Sequence, residues 1–158
     1  MRIIVYSDTH GNLAAHMEIF KRNEDADAFI FLGDGERELD KMRALYPNKK
    51  ILHVAGNCDW GSMTPDWDIF MANGVKILFT HGHTAGVKYS LDRLCYRAME
   101  VGAKIVLFGH THCRYYEYHD GLHILNPGSA SLPRDSKGKS YAFIDILDSG
   151  IVCNHVDL

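Results

Sequence analysis

Short apolar runs alternate with longer amphipathic stretches through the first two-thirds of the chain. Ile3–Tyr6, Ala28–Leu32, Ile51–Val54, Val75–Phe79 and Ile105–Phe108 predict buried strands. Between them, Asn12–Arg22, Glu36–Tyr46 and Val87–Val101 place apolar residues at helical spacing. Leu13, His16, Met17 and Phe20 share one face of the first helix, and Leu91, Leu94, Cys95 and Ala98 one face of the third. Pro47 closes the second and Gly102 the third. The strand–helix–strand order through Leu32 and again through Val54 predicts parallel βαβ units. After Trp60 the pattern changes. Asn73-Gly74, Asp120-Gly121 and Asp148-Ser149-Gly150 each separate two strand-like runs and predict hairpins, so the C-terminal third reads as antiparallel β. The expected fold is α/β: two packed mixed β-sheets, a β-sandwich flanked by helices, in one domain over residues 1–158.

Composition leaves this picture in place: 46% apolar and 23% charged residues are ordinary for a globular chain. Cys58, Cys95, Cys113 and Cys153 form no CxxC pair, which argues against a zinc knuckle. The start reaches Asp8 and His10 too soon for a signal peptide, and no apolar run approaches the roughly 18 residues of a membrane span. The expected location is cytoplasmic, with thiols reduced. The net charge is −3 and no basic stripe is present, so neither a membrane nor a nucleic acid is an expected partner.

Candidate chemistry comes from where the polar residues fall. Each apolar run ends in a residue able to bind metal: Asp8 and His10, Asp34, Asn57, His81, then His110 and His112. Ligands of open α/β sheets bind beyond the carboxyl ends of strands, so strands sharing a sheet bring these side chains to one rim. Gly11, Gly33, Gly56, Gly82 and Gly109 stand beside them and permit sharp turns and close approach. Singly, each has a structural reading: Asp8, His10 and Asp34 as helix caps, Asn57 as a turn residue, His110 and His112 as polar strand ends. Unrelated turns would rarely supply two Asp, one Asn and four His at strand ends alone.

Asp8-Thr9-His10-Gly11, Gly33-Asp34, Gly56-Asn57-Cys58-Asp59, His81-Gly82-His83 and Gly109-His110-Thr111-His112 resemble, in order and spacing, the calcineurin-like metallophosphoesterase superfamily. Asn126-Pro127-Gly128-Ser129 extends the likeness, which is nearest to small single-domain bacterial and archaeal phosphodiesterases of the YfcE type. The resemblance implies one divalent metal on Asp8, His10, Asp34 and His112, and a second on Asp34, Asn57, His81 and His110, with Asp34 bridging. Manganese is the metal it favours. The N/O ligand set also suits nickel, iron or zinc. Two carboxylates leave two dications with net positive charge, suited to an anionic phosphoester, and a shared hydroxide would attack phosphorus in line.

Catalytic roles fall to Asn57, Cys58 and His83. Many superfamily members have His where this chain has Cys58, though the small phosphodiesterase-like branch also shows Cys. A thiol is an indifferent acid at neutral pH, so His83 is the preferred group for proton transfer or phosphate contact, with orientation of a ligand as its structural alternative. Asp59 reads as a turn cap or as support for a ligand. Trp60–Asp66 and Ser131–Lys139, with Arg134, are candidate walls of an open site for a small phosphoester. The competing readings are a non-catalytic interaction scaffold of the same fold and a nuclease or phosphomonoesterase of the same superfamily. Small relatives often assemble, which makes a homo-oligomer a further expectation.

Overall fold

A computed structural model describes residues 1–158. Strands β1 (Arg2–Tyr6), β2 (Ala28–Phe31) and β3 (Lys50–His53) are linked by helices α1 (Leu13–Arg22) and α2 (Glu36–Leu45). Then follow β4 (Trp67–Ala72), β5 (Val75–Thr80), α3 (Asp92–Glu100) and β6 (Ile105–Leu107). The chain ends in β7 (Arg114–His119), β8 (Leu122–Pro127), β9 (Ser140–Leu147) and β10 (Gly150–Asp157). One five-stranded sheet has the order β10-β9-β1-β2-β3 and the other β4-β5-β6-β8-β7. Both are mixed: β1, β2 and β3 run parallel in the first, and β5, β6 and β8 in the second.

The alternation of side chains along each strand builds three apolar layers. Ile3, Val5, Ile30, Ile77, Phe79, Leu107 and Ile144 meet between the sheets. Ile4, Tyr6, Phe29 and Phe31 point the other way, under Ile19 and Phe20 of α1 and Leu39 and Met42 of α2. Leu78, Val106 and Ile124 pack beneath Leu94 and Ala98 of α3. Burying a Val, Leu, Ile or Phe side chain stabilises by about 1.5–3 kcal/mol, so these layers are the main support of the rim above them.

The expected strands and all three hairpins are present. Three expectations need correction. α3 begins at Asp92 rather than Val87, because Gly86 takes a left-handed φ of 72° and residues 83–89 form turns. Met17 is 48% exposed, since α1 turns Ala15, His16, Ile19 and Phe20 inward instead. β8 is antiparallel to β7 but parallel to β6, because hairpin signals report only neighbours in sequence. No helix is long and apolar enough to cross a membrane.

Candidate metal centre

The loops leaving β1, β2, β3, β5 and β6 converge on one rim and bring all seven predicted side chains together. Close approach of the loops depends on glycine. A Cβ on Gly33 would lie 2.4 Å from the Gly56 nitrogen, and one on Gly109 would lie 2.2 Å from Ser7 Oγ. The strand pairing continues into the loops, with the Asp8 amide donating to the Gly33 carbonyl at 3.0 Å and the His10 amide to the Asp34 carbonyl at 2.8 Å.

The side chains form two groups that share Asp34. In one, His112 Nε2 lies 3.1 Å from Asp8 Oδ1 and 3.2 Å from His10 Nε2. His10 Nε2 is 3.7 Å from Asp34 Oδ2. In the other, His81 Nε2 lies 3.6 Å from Asp34 Oδ2, 3.1 Å from Asn57 Oδ1 and 3.2 Å from His110 Nδ1. The other oxygen of Asp34 accepts the Cys58 amide at 2.7 Å, so Oδ2 alone faces both groups. Asp8 Oδ1 is buried without any hydrogen-bond partner.

Hydrogen bonds at the far ring nitrogens fix the imidazoles. His81 Nδ1 donates to the Leu32 carbonyl at 2.7 Å, and His112 Nδ1 donates to the Leu132 carbonyl at 2.6 Å. In a neutral ring each Nε2 is then a bare lone pair aimed at carboxylate or amide oxygen. Acceptors facing acceptors in a buried site call for a cation, so these residues fit divalent metal. Asp8, His10 and His112, and likewise Asp8, Asp34 and His81, bring their ligand atoms within 4.8 Å of one another.

The electrostatics agree. Burial alone would raise the Asp8 carboxyl, yet His112 and His81 hold it below its usual value. Burial opposes a charge on His112, but Asp8 outweighs it and raises that imidazole. Burial, with His81 and Lys88 nearby, lowers His110 to about 4 and keeps it neutral for ligation.

A second tier holds the rim in place. The Asp59 carboxylate accepts the amides of Asp34, Gly35, Glu36 and Gly56 at 2.7–2.9 Å. It therefore both caps α2 and joins the Asp34 loop to the Asn57 loop, whereas Asp34 caps nothing. Asn12, rather than Asp8 or His10, caps α1 by accepting the Ala15 amide at 3.1 Å. Ser129 Oγ and Ser131 Oγ donate to the Asp8 carbonyl at 2.8 and 3.1 Å. Asn126 Nδ2 donates to the Gly109 carbonyl at 2.9 Å, within the segment that carries His110 and His112. Of these anchors Asp59 and Asn126-Pro127-Gly128-Ser129 stood in motifs, whereas Ser131 was read only as the start of a wall.

Burial pushes the Cys58 thiol up to about 11, with Asp34 adding to the effect, so the thiol is neutral at pH 7. The His83 ring lies 5.4 Å from that of His81 and 6.1 Å from that of His110, and its Nδ1 is buried without a partner. The expected wall at residues 60–66 divides. Trp60 lines a cleft of about 320 Å³ beside His10, Asp34 and Cys58, while Ser62–Pro65 line a separate hollow with Glu36 and His53. Arg134 is exposed, its amide donates to the His112 carbonyl at 2.9 Å, and its charge opposes protonation of His112.

Known proteins share this chain's sequence and fold. YsnB of Bacillus subtilis, a probable metallophosphoesterase, is 39% identical over 147 residues, covering 92% of this chain and 85% of that protein. The phosphodiesterase YfcE of Escherichia coli is 27% identical over 170 residues, covering 92% and 88%. The crystal structure of a predicted phosphoesterase from Streptococcus pneumoniae superposes with a TM-score of 0.88 at 32% identity, covering 99% of this chain and 88% of that one. The calcineurin-like phosphoesterase superfamily domain matches residues 1–149, a span that contains every side chain of the rim, and the chain belongs to that superfamily.

Proposed function

We propose that the chain is a phosphodiesterase acting on small phosphoesters through two divalent cations, with manganese favoured and nickel, iron or zinc as alternatives. Asp8, His10, Asp34 and His112 would hold one cation, and Asp34, Asn57, His81 and His110 the other. The observation that carries the reading is the shared Asp34 Oδ2, which faces His10 Nε2 at 3.7 Å and His81 Nε2 at 3.6 Å. Metals at such a site generate a nucleophile from water at neutral pH and neutralise phosphoryl oxygens.

The remaining work belongs to the chain. Leu32 and Leu132, through their carbonyls, fix the tautomers that present His81 Nε2 and His112 Nε2. Asn57 turns Oδ1 toward His81 and donates from Nδ2 to Cys58 Sγ at 3.2 Å. His83 is the group we assign to the departing oxygen, with its unpartnered Nδ1 available for a proton or a phosphate contact. Replacing His83 by Ala should cost alkyl esters more than aryl esters, whose leaving groups need no acid; equal losses would remove that role.

Preference for diesters rests on YfcE, a phosphodiesterase by name. The gathered donor set with its fixed tautomers supports catalysis over a scaffold of this fold. A nuclease would need a basic surface, and the chain carries a net charge of −3. The test is a panel of metals against mono- and diesters, including bis-p-nitrophenyl phosphate, with metal content measured in parallel. Two ions per chain and manganese-dependent diester hydrolysis are expected. Absence of hydrolysis with every metal would return the scaffold reading.

A further inference from the structure

The cleft of about 320 Å³ runs from the rim to residues that no metal role accounts for. Its floor is His10, Asp34 and Cys58, and its walls include Arg37, Glu38 and Trp60. The Trp60 indole is 84% exposed, yet it follows directly on Asp59, whose four amide contacts tie its loop to the start of α2. A large aromatic surface thus stands in water on an anchored loop next to the metal ligands. Arg37 is exposed and its guanidinium forms neither a salt bridge nor a hydrogen bond, in contrast to Arg2, Arg22 and Arg43. An unpaired aromatic face and an unpaired set of donors line the same small volume.

We infer that this cleft is the subsite for the organic group of the phosphoester, and that it takes a single planar, neutral, hydrogen-bonding ring system of the nucleobase type. The inference rests on the phosphodiesterase reading and deepens it. Size sets the first limit: about 320 Å³ is near the lower end of roughly 300–1,000 Å³ for small-molecule pockets, enough for one such group. Charge sets the second. Glu38 shares the wall with Arg37, while the Glu36 carboxylate is held by His53 at 2.9 Å, so a second phosphate would meet a free carboxylate beside the guanidinium, whereas a neutral ring would not be repelled. Chemistry sets the third: Trp60 offers a stacking face and Arg37 offers donors to ring nitrogen or carbonyl acceptors.

The test compares adenosine 5′-monophosphate with methyl phosphate as ligands of the manganese-loaded protein, by calorimetry and by indole fluorescence. Trp67→Phe leaves Trp60 as the only indole reporter. Adenosine monophosphate should bind roughly ten-fold more tightly than methyl phosphate and quench Trp60. Trp60→Ala should reduce its affinity to that of methyl phosphate and leave methyl phosphate unchanged. Arg37→Gln should weaken only the nucleotide. Equal affinity of the two ligands, or a preference that survives Trp60→Ala, would overturn the subsite while leaving the metal site standing. Failure of methyl phosphate itself to bind would overturn the phosphodiesterase reading and the subsite with it.

Discussion

Two sets of turns put residues other than glycine into the left-handed region, and they do so for different ends. At the hairpin tips, Asn73 has φ 46° and Asp120 has φ 50°, each followed by a glycine. At the rim, Asp8, His10, Asp34, His110 and His112 have φ between 45° and 67°. At the tips the left-handed pair reverses the strand with the twist the sheet needs, and Asn or Asp tolerates it well. At the rim the same conformation swings a side chain off the strand axis and into the site, and three of the five residues are histidines. Left-handed backbone costs about 1–2 kcal/mol per residue outside glycine, Asn and Asp, so the three rim histidines carry strain that the tips avoid.

The sharpest way to break this comparison is to keep the backbone and remove the charge. Asn tolerates the left-handed region as Asp does, so Asp34→Asn should fold and melt much like the parent without metal. It should lose the shared ligand and with it two-ion loading. Loss of a group that merely orients a ligand costs about 10–100-fold in metal affinity, so loss of the shared ligand should exceed that in activity. Metal analysis that still finds two ions per chain would detach Asp34 from the role.

The difference between the two turns also explains what could be read in the sequence. Asn73-Gly74 and Asp120-Gly121 are turn signals in themselves, so the hairpins and the strands flanking them were legible. Asp8, Asp34 and the histidines were legible only as polar residues after apolar runs, because histidine is no turn signal and φ leaves no trace in composition. Asp59 left both a turn cap and support for a ligand open, because its four partners are backbone amides on loops 23–25 residues away or beside it. His53 meets Glu36 at 2.9 Å and Arg43 at 2.8 Å only once β3 and α2 are side by side, contacts that no spacing in the sequence signals.

A second prediction concerns what holds the rim besides metal. Buried His16 receives the Tyr6 hydroxyl at Nδ1, 3.1 Å away, and donates from Nε2 to Thr9 Oγ1 at 2.9 Å. Thr9, between two left-handed ligands, donates in turn to the Asp34 carbonyl at 3.4 Å. Burial lowers the His16 pKa from 6.5 to about 4. The folded state therefore stays neutral between those values while the unfolded chain takes up a proton. Stability should fall as pH drops from 6.5 toward 4, by up to about 3 kcal/mol from this group. His16→Gln should flatten that segment of the denaturation profile; an unchanged slope would place the acid sensitivity elsewhere. The tips have no such buried relay and should contribute nothing to this slope.

Asp59→Ala tests the other anchor. It leaves four amides at the start of α2 and beside Gly56 without their acceptor, where water can reach some of them. A loss of about 2 kcal/mol in unfolding free energy is expected, together with about 10–100-fold weaker metal binding. Weaker binding without destabilisation would mean that Asp59 acts on the ligands alone.

The smallest effect separates strain from ligation most directly. The His10 side chain, not fully buried, makes the 3.2 Å contact with His112 and longer approaches of 3.9 and 3.7 Å to Asp8 and Asp34, while its amide bond to the Asp34 carbonyl does not depend on the side chain, and its φ is 45°. His10→Gly removes the left-handed penalty, and should stabilise the metal-free protein by about 1 kcal/mol in a urea titration. The same variant should lose most of the stabilisation that manganese gives the parent. Asn73→Gly should do neither, because Asn already accepts its conformation and its side chain faces no ligand. Opposite signs with and without metal at position 10, beside a flat response at position 73, would place the strain at the rim in the service of the cation. A destabilised metal-free His10→Gly would instead show that the rim is relaxed as folded and that its geometry needs no metal to balance it.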